Sequence, residues 1–425
     1  MKWALYNLLF LLAYPFLLPG FLFRMLRRGG YAARMGDRFA LYPQGLFDKF
    51  GNDRPVWVHA VSVGEVQVAG QFMREWRKAD PSVRFCMSTT SSTGWKAAGR
   101  EVTERDVLVY NPLDFPNFVK SALRTVRPRA VVLTESELWP NFILRARRES
   151  IPLFLVNARV SDRSAPRYRA ARWWFGDVLR AFSGIYAQSQ IDKDRLVAAG
   201  ADACKVEVTG SFKFDAARRN AEKERELRAW LGHAADGAKV LLGGSTWPGE
   251  DETMLRVFSR LVAAGRRIAL VIAPRHFEKA DAVEANIAKA GFACCRRSRG
   301  DSAPADASRT VFLADTTGEL MGLYGICDVA FVGKSLHAHG SQNMIEPCLC
   351  GKPAVVGPYT ENFRPVMEDL LAAGAIEQAA DEEGVVAALE RLLEDPGGLG
   401  ERAVETVMRR KGVVARCVES ARSAL

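Results

Sequence analysis

Two glutamates that follow apolar runs in the first half of the chain could take part in proton transfer. Glu65 lies in the segment HAVSVGE, and Glu137 lies in TESELWPN, beside Trp139 and Pro140. A carboxylate at such a position can accept the proton of an attacking hydroxyl group. Ser62-x-x-Glu65 also has the spacing of a helix-capping box, which by itself explains both residues, and a helix N-terminus weakens a carboxylate as a base. The residues alone leave both interpretations of Glu65 open.

Two further features of the first half, a hydroxyl-rich segment and a second glutamate near Glu137, can each be interpreted in two ways. The segment Met87–Gly94 (MSTTSSTG) offers hydroxyl donors for sugar or phosphate oxygens, or it forms local turns and a helix cap. Glu135 lies two residues before Glu137, and one of these two carboxylates could simply cap the next helix.

The second half carries loops that could hold an anion. Glycines and hydroxyls follow apolar runs in GGSTWPGE, DTTGEL and GSQNMIEP, and Arg275 follows another run. Backbone N–H groups at helix starts bind phosphate, and arginine pairs with phosphate or carboxylate. A surface ion pair for Arg275 and a helix cap at Asn343-x-x-Glu346 explain the same residues without a ligand. Gly333-Lys334-Ser335 lacks the preceding glycine of a P-loop.

Strands that alternate with helices must position these loops. The apolar runs are Val56–Val61, Val83–Met87, Ala130–Leu133, Leu153–Val156, Val240–Leu242, Ile268–Ile272, Val311–Leu313, Val329–Val332 and Ala354–Val356. Such alternation is typical of parallel sheets covered on both faces, where ligands bind at the carboxyl ends of the strands. The sequence therefore predicts an α/β fold with two Rossmann-like domains that face a cleft.

The predicted boundaries follow from the change in pattern along the chain. Residues 1–35 are expected to form a membrane anchor and a basic connector. The first Rossmann-like domain covers 36–212, a charged helical linker covers 213–237, and the second domain covers 238–400. A helical tail, 401–425, completes the chain.

The N-terminus and the net charge favour attachment to a membrane. Trp3–Phe23 contains no charged residue and is long enough to cross a bilayer, while Pro15 and Pro19 leave an interfacial segment as the alternative. The segment is followed by Arg24, Arg27, Arg28, Arg34 and Arg38, which predicts that the rest of the chain is cytoplasmic. No nucleic-acid-binding motif accompanies the net charge of +10, and the eight scattered cysteines have no metal-ligand spacing. We expect an anionic membrane surface as a partner, and neither nucleic acid nor metal.

Ten ordered segments between about residues 34 and 358 resemble the Kdo transferases, which attach 3-deoxy-D-manno-octulosonic acid to the lipid A precursor. They are RMGDRF, HAVSVGE, ELWPN, NARVSDRS, AQSQIDKDRL, GSFKFD, STWPGE, PRH, DTTGELMGLYGICDVAFVG, and NMIEP followed by GKPAVVGP. The resemblance implies a GT-B fold, an acceptor domain followed by a donor domain, and placement at the bacterial inner membrane. It also implies transfer from CMP-Kdo to lipid IVA with inversion, and no cofactor or metal.

The resemblance assigns roles to individual residues. It implies Glu65 as the catalytic base and Glu137 as a second residue of the active site. The implied donor-binding residues are Lys213, Ser245, Thr246, Pro274, Arg275, Gly318, Leu320, Asn343 and Glu346.

Three positions depart from the family pattern on the donor side. Trp247 stands where the family usually has histidine, Lys334 where it usually has glycine, and Ser341-Gln342 where it usually has glycine and histidine. The resemblance therefore identifies the family more closely than it identifies the individual contacts to CMP. The alternative enzyme is a membrane-bound GT-B transferase that uses another nucleotide sugar, such as a UDP-sugar. A lipid-binding or scaffold protein without activity is disfavoured, because Glu65, Arg275 and Glu346 are all present.

Overall fold

The structure is a computed structural model, and it describes residues 2–13, 16, 32–216, 219–304 and 306–425. The chain divides into two compact units. The first unit comprises Met1–Lys213 and Gly412–Leu425, and the second comprises Phe214–Lys411. Each unit contains a parallel sheet packed with helices, as the alternating sequence pattern predicts.

The first unit is built on one parallel sheet. Its strands are β1 (Val56–His59), β2 (Phe85–Thr89), β3 (Val107–Tyr110), β4 (Ala130–Thr134), β5 (Leu153–Ala158), β6 (Gly184–Ala187) and β7 (Val206–Val208). They lie in the order β3-β2-β1-β4-β5-β6-β7. Trp57 belongs to one hydrophobic cluster and its neighbours Val56 and Val58 to another, so β1 is buried on both faces.

The second unit repeats this architecture. Its strands are β8 (Lys239–Thr246), β9 (Ile268–Pro274), β10 (Ala293–Arg296), β11 (Thr310–Leu313), β12 (Val329–Val332), β13 (Ala354–Val356) and β14 (Glu377–Gln378). The order is β10-β11-β9-β8-β12-β13-β14, which places β8 between β9 and β12. The loops that follow these three strands therefore lie side by side at one edge of the sheet.

Helices connect the strands of both units. Residues 2–13 form α1, and the others are α2 (Val63–Ala79), α3 (Ser92–Ala98), α4 (Pro116–Val126), α5 (Pro140–Arg148), α6 (Ala165–Ala170), α7 (Arg172–Leu179), α8 (Gln190–Ala198), α9 (Lys213–Ala216), α10 (Ala221–Leu231), α11 (Glu250–Ala263), α12 (Ala280–Lys289), α13 (Leu320–Ile326), α14 (Ile345–Leu349), α15 (Arg364–Ala372), α16 (Glu382–Glu394), α17 (Leu399–Arg409) and α18 (Val413–Ser423). Short 3₁₀ helices occur at Ala32–Phe39, Asp48–Phe50, Ala203–Lys205, Gly232–Ala235, Phe277–Lys279, Arg297–Arg299 and Glu361–Phe363.

The segments predicted as linker and tail are integral parts of the two units. Within 213–237, Leu227 and Trp230 of α10 pack in one cluster with Leu323 of α13, in the second unit. The C-terminal helix α18 returns to the first unit, where Cys417 and Val418 join the cluster that contains α2. Burial of apolar side chains from α10 and α18 is what fixes these segments to their sheets.

The N-terminal helix α1 lies against the first unit. The Trp3 ring lies 5.0 Å from that of Trp174, and the Tyr6 hydroxyl donates to Asp114 at 3.0 Å. Of the predicted anchor Trp3–Phe23, residues 14, 15 and 17–23 lie outside the described residues. Among the residues that the structure describes, no helix has both the length and the apolar character needed to cross a membrane.

Candidate active site

Glu65 lies in the first turn of α2, just beyond the carboxyl end of β1. Ser62 caps this helix, because its hydroxyl accepts from the Glu65 N–H at 3.3 Å and donates to the Glu65 carboxylate at 2.8 Å. The other carboxylate oxygen accepts from the N–H of Val61 at 3.0 Å and lies 3.2 Å from the Thr134 hydroxyl. The predicted capping box is confirmed, and it holds the carboxylate in one position at the end of the sheet.

The loop after β4 brings two more carboxylates to the same edge of the sheet. β4 pairs with β1, so its carboxyl end adjoins the start of α2. Glu135 has a positive φ of 53°, in the left-handed region that non-glycine residues rarely adopt. Two residues later, Glu137 accepts a hydrogen bond from the indole N–H of Trp139 at 3.0 Å. Backbone strain of this kind is concentrated at functional sites.

Cations and an amide surround Glu135. Arg159 forms an ion pair with it at 3.0 Å, and the side chain of Asn157 donates to it at 3.3 Å. The ammonium group of Lys213 also lies within electrostatic range of Glu135. Lys213, which the sequence assigns to the donor site, thus lies beside Glu135 in the first unit. Asn157 and Arg159 lie in the NARVSDRS segment, but no pattern in that segment distinguishes them as site residues.

Burial and mutual repulsion shift the pKa values of this carboxylate group. Burial and the negative charge of Glu65 together raise the pKa of Glu137 from 4.5 to about 7, and the Trp139 hydrogen bond opposes both effects. Burial also raises the pKa of Glu135, although the positive charge of Arg159 counteracts it. A carboxyl group whose pKa lies close to neutrality is suited to proton transfer.

The hydroxyl-rich loop after β2 has a structural role. Ser91 caps α3 by accepting from the Gly94 N–H at 3.0 Å, and its hydroxyl donates to the carbonyl oxygen of Val61 at 2.9 Å. The helix-cap interpretation of this segment is therefore confirmed for Ser91. Its contact with Val61 also supports the loop that leads into Glu65.

In the second unit, most of the predicted donor residues line one cavity. The cavity has a volume of about 140 Å³ and lies at the carboxyl ends of β8, β9 and β11. Its lining includes Ser245, Pro274, Arg275, Gly318 and Leu320. Thr246 adjoins it, because its carbonyl oxygen accepts from the Arg275 N–H at 3.0 Å. The structure brings these residues, which are distant in the sequence, together at one cavity.

Asn343 and Glu346 form a pair at the start of α14. The Asn343 side chain donates to the Glu346 carboxylate at 2.9 Å. Burial raises the pKa of Glu346, while the Asn343 hydrogen bond and the positive charge of Arg275 lower it. Arg275 is thus close enough to connect this pair electrostatically with the cavity.

Glu250 is a site residue that the sequence did not single out. Its side chain is fully buried, and one carboxylate oxygen accepts from the N–H groups of Trp247 at 2.7 Å and Lys334 at 2.8 Å. The other oxygen accepts from Ser335 at 3.0 Å and Leu336 at 3.1 Å. Glu250 therefore joins the loop after β8 to the loop after β12. The indications in the sequence are its place at the end of the STWPGE segment and at the start of a helix, after Pro248-Gly249.

Backbone conformation constrains these two loops further. Ser245, Lys334 and Ser341 all have positive φ values, of 54°, 57° and 58°. A Cβ atom at Gly333 would clash with the carbonyl oxygen of Ser245, so only glycine fits at that position. The ammonium group of Lys334 lies 4.9 Å from the centre of the Trp247 ring. Trp247, with Thr246, Pro274 and His276, also lines a second cavity of about 90 Å³.

Within the described parts of the chain, no group of three or more His, Cys, Asp or Glu side chains is arranged to hold a metal ion. Fixed positive charges on the loops after β9 and β12 are Arg275 and Lys334. Anions bind readily to such cations when backbone N–H groups are near.

Comparisons with known proteins give a consistent result. Residues 33–216 match the family model described as 3-deoxy-D-manno-octulosonic-acid transferase (kdotransferase). A 3-deoxy-D-manno-octulosonic acid transferase of Bordetella pertussis is 35% identical over 86% of this chain and 87% of its own length. The enzyme of the same description from Haemophilus influenzae is 30% identical over 97% of this chain and 96% of its own. A solved glycosyltransferase structure from Rickettsia africae covers 88% of this chain and 99% of its own, with a TM-score of 0.59 and 13% identity, so the two share a fold.

Proposed function

This chain belongs to the family of 3-deoxy-D-manno-octulosonic acid (Kdo) transferases, glycosyltransferases of lipopolysaccharide biosynthesis, and we propose that it transfers Kdo from CMP-Kdo to lipid IVA. We propose a GT-B enzyme whose reaction inverts the anomeric centre and uses no metal. The observation that carries the proposal is the cavity of the second unit, where Ser245, Arg275 and Gly318 meet at the strand ends. Its polar lining and fixed cation suit a nucleotide phosphate.

The donor is assigned to the second unit. Arg275 binds the phosphate of CMP, and the N–H groups at Gly318 and at the start of α14 add hydrogen bonds. Asn343 and Glu346 contact the donor next to Arg275. The resemblance adds Lys213, whose buried ammonium group beside Glu135 is a fixed charge for an anionic substrate group. Arg275 and these N–H groups of the second unit stabilise the departing CMP in the place of a metal ion.

Acceptor activation is assigned to the first unit. Glu65 takes the proton of a primary hydroxyl group of lipid IVA as its oxygen attacks the anomeric carbon and the bond to the CMP phosphate breaks. The cap hydrogen bonds fix Glu65 in one orientation, which reduces the entropic cost of aligning it. Glu137 lies close enough for the two carboxylates to interact electrostatically. In its ionised form, Glu137 increases the attraction of this site for the transferred proton.

We place the protein on the cytoplasmic side of the inner membrane, with α1 lying in the membrane surface. Leu5, Leu8, Leu9 and Leu12 form one stripe of α1, and their side chains are 47–57% exposed. The neighbouring α7 carries Trp173, 62% exposed, and exposed arginines of this region are Arg163, Arg167, Arg169 and Arg172. An apolar stripe beside basic residues suits an anionic bilayer surface, where each basic residue contributes about 1 kcal/mol.

The test is transfer by the purified protein from CMP-Kdo to lipid IVA, followed by mass spectrometry of the lipid. We expect a mass increment of one or more Kdo residues, in EDTA as in magnesium. Glu65→Gln should reduce transfer by about 10²- to 10⁴-fold while CMP binding is retained. Near-normal transfer by this variant would remove Glu65 as the base, and activity lost in EDTA and restored by magnesium would contradict a metal-free reaction.

The alternative is a transferase that uses another nucleotide sugar, most plausibly a UDP-sugar. Titration of the purified protein with CMP and with UDP separates the two. Stronger binding of CMP is expected from the proposal, and stronger binding of UDP would favour the alternative.

A further inference from the structure

We propose that Lys334 is a second anion-binding residue of the donor site, whose ammonium group binds an anionic group of the sugar nucleotide. This inference rests on the proposed function, because CMP-Kdo carries two anionic groups, a phosphate and the carboxylate of the ulosonic acid. The resemblance to the family supplies no residue for this role at position 334.

The sheet places Lys334 where a second cation is useful. β8 lies between β9 and β12, and its carboxyl end carries Ser245 and Trp247. Arg275 follows β9 on one side, and Lys334 follows β12 on the other. Neighbouring strands lie about 4.8 Å apart, so the backbones of the two cations are about 10 Å apart. A ligand above the end of β8 therefore lies between two positive charges.

Neither cation forms a salt bridge within the described part of the chain, and Arg275 acts on Glu346 only through its charge. Among the residues that the structure describes, neither Arg275 nor Lys334 has an acidic side chain within ion-pair distance, although such pairs are common elsewhere on this unit. The contact of Lys334 is with the Trp247 ring, at 4.9 Å from the ring centre. A cation–π contact orients an ammonium group but leaves its charge uncompensated, so the group can still bind an anion.

The backbone fixes the side chain of Lys334 in this place. Its φ of 57° is in the left-handed region, where a lysine is less favourable than a glycine. Its N–H donates to the buried Glu250 at 2.8 Å, and its carbonyl oxygen accepts from the Ser341 N–H at 2.8 Å. Hydrogen bonds at both its N–H and its carbonyl oxygen thus keep Lys334 in an unfavourable backbone conformation. A lysine at such a position, where glycine would be easier to accommodate, indicates that the side chain itself contributes to the site.

Trp247 supplies a second sign of an absent ligand. Its indole N–H is buried and has no hydrogen-bond partner among the described residues. The ring lines the cavity that includes Thr246 and Pro274, two of the predicted donor residues. A buried donor of this kind is usually satisfied by a partner, and an anionic oxygen would be one.

The experiment compares wild type with Lys334→Gln, which keeps a polar side chain and removes its charge, and with Lys334→Arg, which keeps the charge. Lys239→Gln is the matched control, because Lys239 is an exposed lysine at the opposite end of β8. Calorimetric titrations with CMP and with cytidine are combined with the KM for CMP-Kdo. Cytidine has neither anionic group, so its binding should not change in any variant.

Two results support the inference and distinguish the anions. If Lys334 binds the phosphate, Lys334→Gln should weaken CMP binding about tenfold or more. If it binds the carboxylate, CMP binding should stay constant while the KM for CMP-Kdo rises about tenfold. In both cases Lys334→Arg should restore most of the loss.

Unchanged CMP binding together with an unchanged KM in Lys334→Gln would overturn the inference. Equal losses in Lys334→Gln and Lys239→Gln would overturn it too, because they would point to a general effect of charge. If the wild-type protein itself fails to bind CMP, the proposed function fails. The two failures are thus distinguishable.

Discussion

Replacing Glu137 by glutamine should make the protein more stable at alkaline pH. Burial and the charge of Glu65 raise the pKa of Glu137 from 4.5 to about 7. Between these values the native state keeps a proton that the unfolded chain has released, so the free energy of unfolding falls as the pH rises. Glutamine is uncharged at every pH and can still accept the Trp139 hydrogen bond. The free energy of unfolding of Glu137→Gln should therefore not show this fall with rising pH.

The size of the effect follows from the shift. One pKa unit corresponds to about 1.36 kcal/mol, so the full cost of ionising Glu137 in the native state is about 3 kcal/mol. Part of this cost is already present at pH 5, and the side chain is partly exposed to solvent. Between pH 5 and pH 8, wild type should lose about 2 kcal/mol more than Glu137→Gln.

Urea unfolding at pH 5 and pH 8, followed by tryptophan fluorescence in detergent, measures this difference. Most of the nine tryptophans report on the first unit, which contains Trp3, Trp57, Trp76, Trp95, Trp139, Trp173 and Trp174. Glu104→Gln, at an exposed turn of the same unit, controls for the loss of one carboxylate. A stability difference between wild type and Glu137→Gln that is the same at both pH values would refute the raised pKa. The transfer activity of wild type should also rise with pH through about 7, and this step should be missing in the variant.

Two other predictions concern the donor loops and the membrane surface. Glu250→Gln leaves one oxygen to accept from four backbone N–H groups, so the loops after β8 and β12 should be held less firmly. Calorimetry should then show CMP binding that is at least about tenfold weaker, and a lower melting temperature. Unchanged CMP binding would show that the two loops keep their conformation without the carboxylate. Leu8→Asp with Leu12→Asp should reduce binding to vesicles with anionic lipids in a sedimentation assay, because two exposed apolar side chains of α1 become charged. Binding as strong as that of wild type would place the contact elsewhere, and Leu371→Asp, an exposed leucine of the second unit, is the control.

The sequence predicted the interior of both sheets better than their edges. Every apolar run named from the sequence coincides with a strand, because strands buried on both faces must be apolar throughout. The edge strands β3, β7, β10 and β14 have no such run among those named, and β6 is the one interior strand of the described residues that also lacks one. β14 consists of Glu377–Gln378, and β10 ends in Arg296. Such strands make fewer apolar contacts, so their position depends on pairing with an adjacent strand, which the sequence does not indicate.

Site residues that directly follow a strand could be predicted from the sequence. Site residues whose role depends on contacts with residues distant in the sequence could not. Ser245, Arg275 and Gly318 could be selected because each follows an apolar run, and the sheet order then brings them to one cavity. Glu250 could not be selected, because its partners Lys334, Ser335 and Leu336 are more than 80 residues away. From the sequence, a buried acceptor of four N–H groups looks the same as an ordinary first-turn glutamate.

The N-terminal segment shows a similar limit. Trp3–Phe23 contains no charge, which favours a membrane anchor, but Tyr6 and Asn7 have specific hydrogen-bond partners in the first unit. Tyr6 donates to Asp114, and the Asn7 side chain accepts from Asn141 at 2.7 Å. Mean hydropathy does not register such residues, although the Tyr6 bond ties α1 to Asp114 and the Asn7 bond ties it to the start of α5.

The two interpretations of Glu65 that the sequence left open are compatible with each other in the structure. The capping box is present, and its hydrogen bonds orient the carboxylate at the end of β1, next to the loop that carries Glu137. A cap alone explains the position of Glu65 but not the burial of two more carboxylates in the loop after β4, which costs free energy at neutral pH. A fold under selection for stability alone gains nothing from that repulsion. The clustering of the three carboxylates is therefore the stronger argument for proton transfer at this site, and the cap is the means by which one of them is held in place.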